Sequence, residues 1–137
     1  VFRNCVDHGL ENAEARAIQG KEEIGSIRCS IQCKGDRILI SISDDGTGID
    51  LDDLRRRAID IGIYTPDEAN YCTEQQLLEL IFCREFSTQT EVSLISGRGV
   101  GLSAVKAELE NIGGRVTVSS HSQVGTEFLF DLPLSKP

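Results

Sequence analysis

Apolar and polar residues alternate along four stretches of this chain and follow a helical period along others, and the two rhythms define its elements. Ile27, Cys29, Ile31 and Cys33 alternate with Arg28, Ser30 and Gln32, and Ile38, Ile40 and Ile42 alternate likewise beyond a Lys34-Gly35-Asp36 turn. This predicts a β-hairpin with one buried face. Two further strands are expected at Arg115 to Ser120 and Thr126 to Leu132, the second with Phe128, Phe130 and Leu132 on one face. Helical spacing predicts a helix from Leu51 to Ile61, N-capped by Asp50 and stopped at Gly62, and another behind a Thr73/Gln76 capping box. A third runs from Leu102 to Ile112 and ends at Gly113-Gly114, which suits a left-handed C-cap.

Val1 to about Leu10 reads as the tail of a helix that starts mid-pattern without an N-cap, as in a fragment excised from a longer, N-terminally truncated protein. From Arg84 to Ser96 the chain is polar and lacks periodicity, which predicts a loop acting as a mobile lid. Strands and helices interleave without strict β-α-β order. The expected fold is α+β: a two-layer α/β sandwich with a mixed sheet, helices on one face and the ligand between helices and lid. Rossmann and P-loop folds fit poorly, because no strand runs into Gly97 and no Gly-Lys-Ser/Thr follows it.

Size and charge narrow the function. The 137 residues suit one domain, and the net charge is −8. Any phosphate must then be bound locally by backbone N–H groups and a metal, and nucleic acid is not an expected partner. No apolar run reaches membrane-span length, so no direct membrane contact is expected. The five cysteines, Cys5, Cys29, Cys33, Cys72 and Cys83, include no Cys-x-x-Cys pair and fit a reduced, cytoplasmic setting. Cys29 and Cys33 share a strand face with apolar neighbours and are expected to be small buried hydrophobes, since their spacing matches no usual zinc pattern.

Candidate chemistry concentrates in two glycine clusters. Asp44-Asp45-Gly46-Thr47-Gly48 closes an alternating strand, where a carboxylate can accept a purine amino group and glycine backbone lets a ring approach closely. Gly97-Arg98-Gly99-Val100-Gly101 precedes a helix whose unpaired N–H groups and dipole favour an anion. Asn4 and His8 lie one helical turn apart with Asp7 beside them, and an amide oxygen there is chemically sufficient to ligate Mg2+ alongside substrate phosphates.

In this order the segments Asn4-Cys5-Val6-Asp7-His8-Gly9-Leu10-Glu11, Asp44-Asp45-Gly46-Thr47-Gly48-Ile49-Asp50, Phe86-Ser87-Thr88, Ser96-Gly97-Arg98-Gly99-Val100-Gly101-Leu102 and Gly125-Thr126 resemble the motif boxes of the Bergerat (GHKL) ATPases. Arg3-Asn4 with Asp7-His8-Gly9 and Phe-Ser-Thr ahead of Ser-Gly-Arg-Gly-Val-Gly resemble the ATP-binding domain of CheA-like chemotaxis histidine kinases. The resemblance covers nearly the whole chain. It implies that Asp44 accepts the adenine amino group with help from Thr126 through ordered water, and that Gly46, Gly48 and Ile49 line the base. By the same resemblance Asn4 holds Mg2+, and Gly97, Gly99, Val100, Gly101 and Leu102 wrap the ATP phosphates with Ser87 and Thr88. Arg3, Asp7 and His8 border the phosphate end, His8 as the candidate catalytic group. The implied partners are a histidine phosphoacceptor domain, a response regulator and, through other domains, receptor or adaptor proteins.

Two departures stand out. The family's His one turn before the Asn would fall immediately before Val1, which implies that this piece alone lacks phosphotransfer. The Lys that often follows Phe-Ser-Thr is Gln89 here. An alternative reading is a nucleotide-sensing module that binds ATP or ADP without phosphotransfer. A gyrase- or MutL-type ATPase fits the acidity of the chain less well. Arg55-Arg56-Arg57 reads as an exposed helix face, His121 as a solvated turn residue, and Arg98 as a phosphate contact or a pin for the lid.

Overall fold

A computed structural model of the chain describes residues 1–2, 5–88 and 101–134, without the side chains of 7, 8, 87 and 88. The chain divides into two compact units, Val1–Ile49 with Val116–Pro137 and Asp50–Arg115.

The first unit is built on a sheet of β1 (Ile27–Lys34), β2 (Arg37–Asp44), β3 (Arg115–His121) and β4 (Gly125–Pro133) in the order β1-β2-β4-β3. The hairpin turns at Gly35, whose φ of +60° is cheap only for glycine, and its register sets Ile31 against Ile40 and Cys29 against Ile42. β2 continues the pattern across β4, with Ile40 opposite Phe130 and Ile42 opposite Phe128. β3 and β4 are sheet neighbours joined by a short turn, which only antiparallel strands allow. The α+β expectation holds, but the described strands pair antiparallel throughout rather than in a mixed sheet.

One sheet face carries Ile42, Phe128, Phe130, Val116 and Val118, all buried. Burial fades toward β1. Cys29 and Cys33 are exposed, against the expectation of buried hydrophobes, and Ile31 is 67 % exposed. Alternation identifies the residues sharing a face, but β1 is the outer strand and its stretch of that face is uncovered.

Two helical pieces belong to this unit. α1 (Cys5–Gly9) is one π-helical turn that packs on β2 and β4, closed by Leu10 N–H donating to the Cys5 carbonyl at 2.9 Å. α2 (Ala13–Ile18) was not foreseen; Asn12 caps it by accepting from Ala15 N–H at 2.8 Å.

The second unit is helical. α3 (Leu51–Asp60) starts at Asp50, whose carboxylate accepts from Asp52 and Asp53 N–H, and stops before Gly62 at φ +80°. It buries Leu54 and Ala58. α4 (Pro66–Tyr71) opens on a Thr65/Glu68 capping box and α5 (Glu74–Glu79) on the expected Thr73/Gln76 box. A 3-10 turn at Leu80–Phe82 leads to α6 (Arg84–Thr88). The expected lid loop therefore begins as a helix, because Phe86 is buried beneath the Arg57 guanidinium, 4.3 Å from its ring centre. The rest of the expected lid, 89–96, lies outside the described residues. α7 (Leu102–Asn111) ends with Gly113 at φ +78°, as expected.

The arginine run on α3 is held at home. Arg55 pairs with Asp52 at 2.8 Å and Arg56 with Asp53 at 3.3 Å. Arg57 caps the Phe86 ring.

Candidate nucleotide-binding site

The end of β2 and the turn behind it form the described part of the site. Asp44 is the last residue of β2, and its Oδ1 accepts a hydrogen bond from Gly46 N–H at 2.9 Å. The registered pair Ser43–Glu127 places Thr126 across from Asp44 one step further along β4. Thr126 is buried, and its hydroxyl lies 3.0 Å from Ser120 Oγ. Ser120 Oγ also accepts from Ile49 N–H at 2.7 Å, tying the far end of the turn to β3. Asp44, Gly125 and Thr126 share an open groove of about 320 Å³ with Ser43 and Glu127 of the opposite sheet face, so it runs over the strand ends.

The glycines of this turn are demanded by chain packing. A Cβ on Gly46 would stand 1.8 Å from the Gly9 carbonyl oxygen, and one on Gly125 would stand 2.0 Å from the Asp44 carbonyl oxygen. Gly48 holds φ +78° against the His121 carbonyl. The missing Cβ at Gly46 and Gly48 thus makes room for neighbouring backbone. Gly9 does border the carboxylate: a Cβ there would come within 2.9 Å of Asp44 Oδ2.

Sequence reasoning missed what holds this turn. Arg16, 1 % exposed, grips Asp45 with both prongs, Nη1 to Oδ1 at 3.1 Å and Nη2 to Oδ2 at 2.8 Å. Its Nη1 also reaches Glu11 at 3.1 Å, and its Nε donates to the Glu22 carbonyl at 2.6 Å. Lys21 Nζ donates to Glu11 at 2.8 Å and to the carbonyls of Asp45 and Gly46 at 3.0 and 2.9 Å. The only sequence signal was the pair of cations spaced five and ten residues after Glu11, a spacing that matches no single-element periodicity.

The electrostatics follow. Burial favours a neutral Asp45, but the hydrogen bonds from Arg16, helped by Ser26 N–H, outweigh it and hold the carboxyl below its usual range. The Lys21 hydrogen bond lowers Glu11 against the effect of burial. Cys5, buried under the site, is pushed up to about 11, first by burial and then by its hydrogen bond to Asp44.

The other sequence-predicted residues divide as follows. Arg3, Asn4, Gly97, Arg98, Gly99 and Val100 lie outside the described residues, as do the side chains of Asp7, His8, Ser87 and Thr88. Gly101 and Leu102 are at the start of α7, where Gly101 is the N-cap and offers no side chain to the first N–H groups. Among the described residues no cluster of His, Cys, Asp or Glu could hold a metal ion, and no helix is long and apolar enough to cross a membrane.

Residues 1–136 match the histidine kinase-, DNA gyrase B- and HSP90-like ATPase family, and the chain belongs to it. It is 40 % identical over 135 residues to the chemotaxis protein CheA of Bacillus subtilis, covering 98 % of this chain and 20 % of that protein. It is 42 % identical over 135 residues to a gliding motility regulatory protein of Myxococcus xanthus, covering 98 % of this chain and 17 % of that one. The chain thus spans about a fifth of the length of these relatives. Among solved structures, the catalytic domain of histidine kinase ThkA superposes with a TM-score of 0.50 at 19 % identity, over 95 % of this chain and 61 % of that one, a likeness of fold alone.

Proposed function

We propose that the chain is the ATP-binding catalytic domain of a CheA-like histidine kinase, part of a larger cytoplasmic protein, and that it supplies the γ-phosphoryl of Mg-ATP to a histidine on another domain. The carrying observation is the Asp44 carboxylate at the end of β2: Oδ1 accepts from Gly46 N–H, Cys5 hydrogen-bonds to the carboxylate from below, and Oδ2 borders the Cβ-free Gly9. A base amino group finds an acceptor there. A base carbonyl at the same place meets a like-charged oxygen, so the site favours adenine over guanine.

Thr126, opposite Asp44, assists at the base. Asn4 is the proposed Mg2+ ligand, and the bound cation would offset charge on the phosphates. Segment 97–101 and the N-terminus of α7 take the phosphates with Ser87 and Thr88, consistent with a helix start whose cap residue brings no side chain. Arg3, Asp7 and His8 border the transferred group. The protein's share of phosphoryl transfer is then positioning and charge stabilisation. A histidine phosphoacceptor domain, a response regulator and receptor-coupled adaptors are the proposed partners.

Titration with ATP and GTP, with and without Mg2+, tests the binding half: ATP is expected to bind with Mg2+ and GTP weakly. Equal affinity for the two bases would overturn the adenine assignment. Incubating the full-length protein with γ-labelled ATP tests the transfer half, the expected product being phosphohistidine, which is stable to base and labile to acid. Hydrolysis without any phosphohistidine would favour a different ATPase activity.

A further inference from the structure

Asp44 and Asp45 are neighbouring carboxylates at one strand end, yet the structure uses them in opposite ways. Asp45 is consumed: both its oxygens meet Arg16, and Oδ1 also accepts from Ser26 N–H at 2.9 Å. Asp44 meets neither Arg16 nor Lys21 among its described contacts.

Resting on the ATP-binding reading above, we propose that Arg16 and Lys21 are positioning residues for base recognition, which orient the turn so that the Asp44 carboxylate presents one defined oxygen to an exocyclic amino group.

The argument is one of peptide geometry. A trans peptide points its C=O and the following N–H in opposite directions. The Asp45 carbonyl is drawn to Lys21 Nζ at 3.0 Å and to Arg16 Nη1 at 3.3 Å, so Gly46 N–H, in the same peptide, must point the other way. That N–H is the donor that fixes Asp44 Oδ1. The next peptide repeats the device: Lys21 takes the Gly46 carbonyl at 2.9 Å, and Thr47 N–H, opposite, donates to the Gly9 carbonyl at 2.9 Å. Gly9 in turn borders Asp44 Oδ2. Two cations on one side of the turn therefore aim two N–H groups on the other. Charge partition completes the device. Arg16 and Lys21 are balanced by Glu11 and Asp45, leaving the Asp44 charge uncompensated by these two cations.

Lys21→Met is the informative variant, because it removes the carbonyl anchor while Arg16 and its partners remain. It is read by titration with ATP and with inosine triphosphate, which carries a carbonyl in place of the amino group, and by amide exchange at Gly46 without nucleotide. Expected results are about a tenfold fall in the ATP-to-inosine-triphosphate affinity ratio, Gly46 exchange at least about tenfold faster, and partial restoration of both by Lys21→Arg. A merely structural lysine would lower both affinities together and leave their ratio intact. An unchanged ratio, or unchanged Gly46 exchange in the folded variant, overturns the proposal. Asp44→Asn in the same series separates the two readings: if it and the wild type bind both nucleotides equally, the adenine assignment fails, while the exchange measurement still decides the role of Lys21.

Discussion

Arg16 and Asp45, 29 residues apart in sequence, form a two-pronged ion pair with nitrogen–oxygen distances of 3.1 and 2.8 Å, in which the guanidinium is almost wholly buried. Such a pair is costly to break from one side, since the partner charges stay behind without compensation. Arg16→Met is expected to destabilise the fold markedly, because it strands the buried Glu11 carboxylate as well as Asp45. Asp45→Asn is expected to cost less stability, because its side chain is 44 % exposed and Arg16 keeps Glu11. Urea unfolding checks both; equal, small losses would show that the pair is only a surface contact.

Acid should loosen the same cluster. Glu11 and Asp45 titrate below their usual range in the fold, so their contribution is fully present above about pH 4, where the unfolded carboxyls ionise, and is lost as the pH falls through the lower folded values. Unfolding midpoints measured from neutral pH down to about pH 2.5 should drop mainly below pH 4. Glu11→Gln should flatten that drop, and an unaltered slope would argue against the assignment.

Glycine substitutions should separate two kinds of requirement. Gly62 has φ +80° with open space around it, so Gly62→Ala is expected to cost only left-handed strain, about 1–2 kcal/mol. Gly46→Ala drives a methyl into the Gly9 carbonyl and must displace α1 from the turn. It is expected to cost more stability than Gly62→Ala and to abolish ATP binding. Calorimetry that finds intact affinity would show that the turn tolerates separation from α1.

Thiol labelling reports the uneven covering of the sheet. Exposed Cys29 and Cys33 should be alkylated readily by iodoacetamide at about pH 8. Cys5 is buried with its pKa near 11, holds little thiolate at that pH, and should react far more slowly. Mass spectrometry of the labelled peptides would read this directly. Fast labelling of Cys5 would mean that α1 opens readily.

At the proposed site, Asp44→Asn exchanges one acceptor oxygen for a donor and is expected to weaken ATP binding by about 1–3 kcal/mol. Asn4→Ala is expected to weaken Mg-ATP more than Mg-free ADP. Equal losses, by calorimetry, would point away from metal ligation.

Periodicity, caps and glycine stops were enough to locate the four strands and the helices at 51–60, 74–79 and 102–111, because those signals act within one element. α4 was not expected, since it is only six residues long despite its Thr65/Glu68 capping box, and α6 was expected as loop because a single buried aromatic under Arg57 holds it. The order of the glycine motifs pointed to an ATPase, and the family match agrees. Neighbouring residues alone thus fix which positions alternate, where helices start and stop, and which boxes follow one another. That β1 leaves Ile31 and both its cysteines uncovered, and that Arg16 binds Asp45 rather than Asp44, emerges only in the folded chain. Covering a face and pairing a charge both depend on groups brought from distant parts of the chain, and no local pattern carries that information.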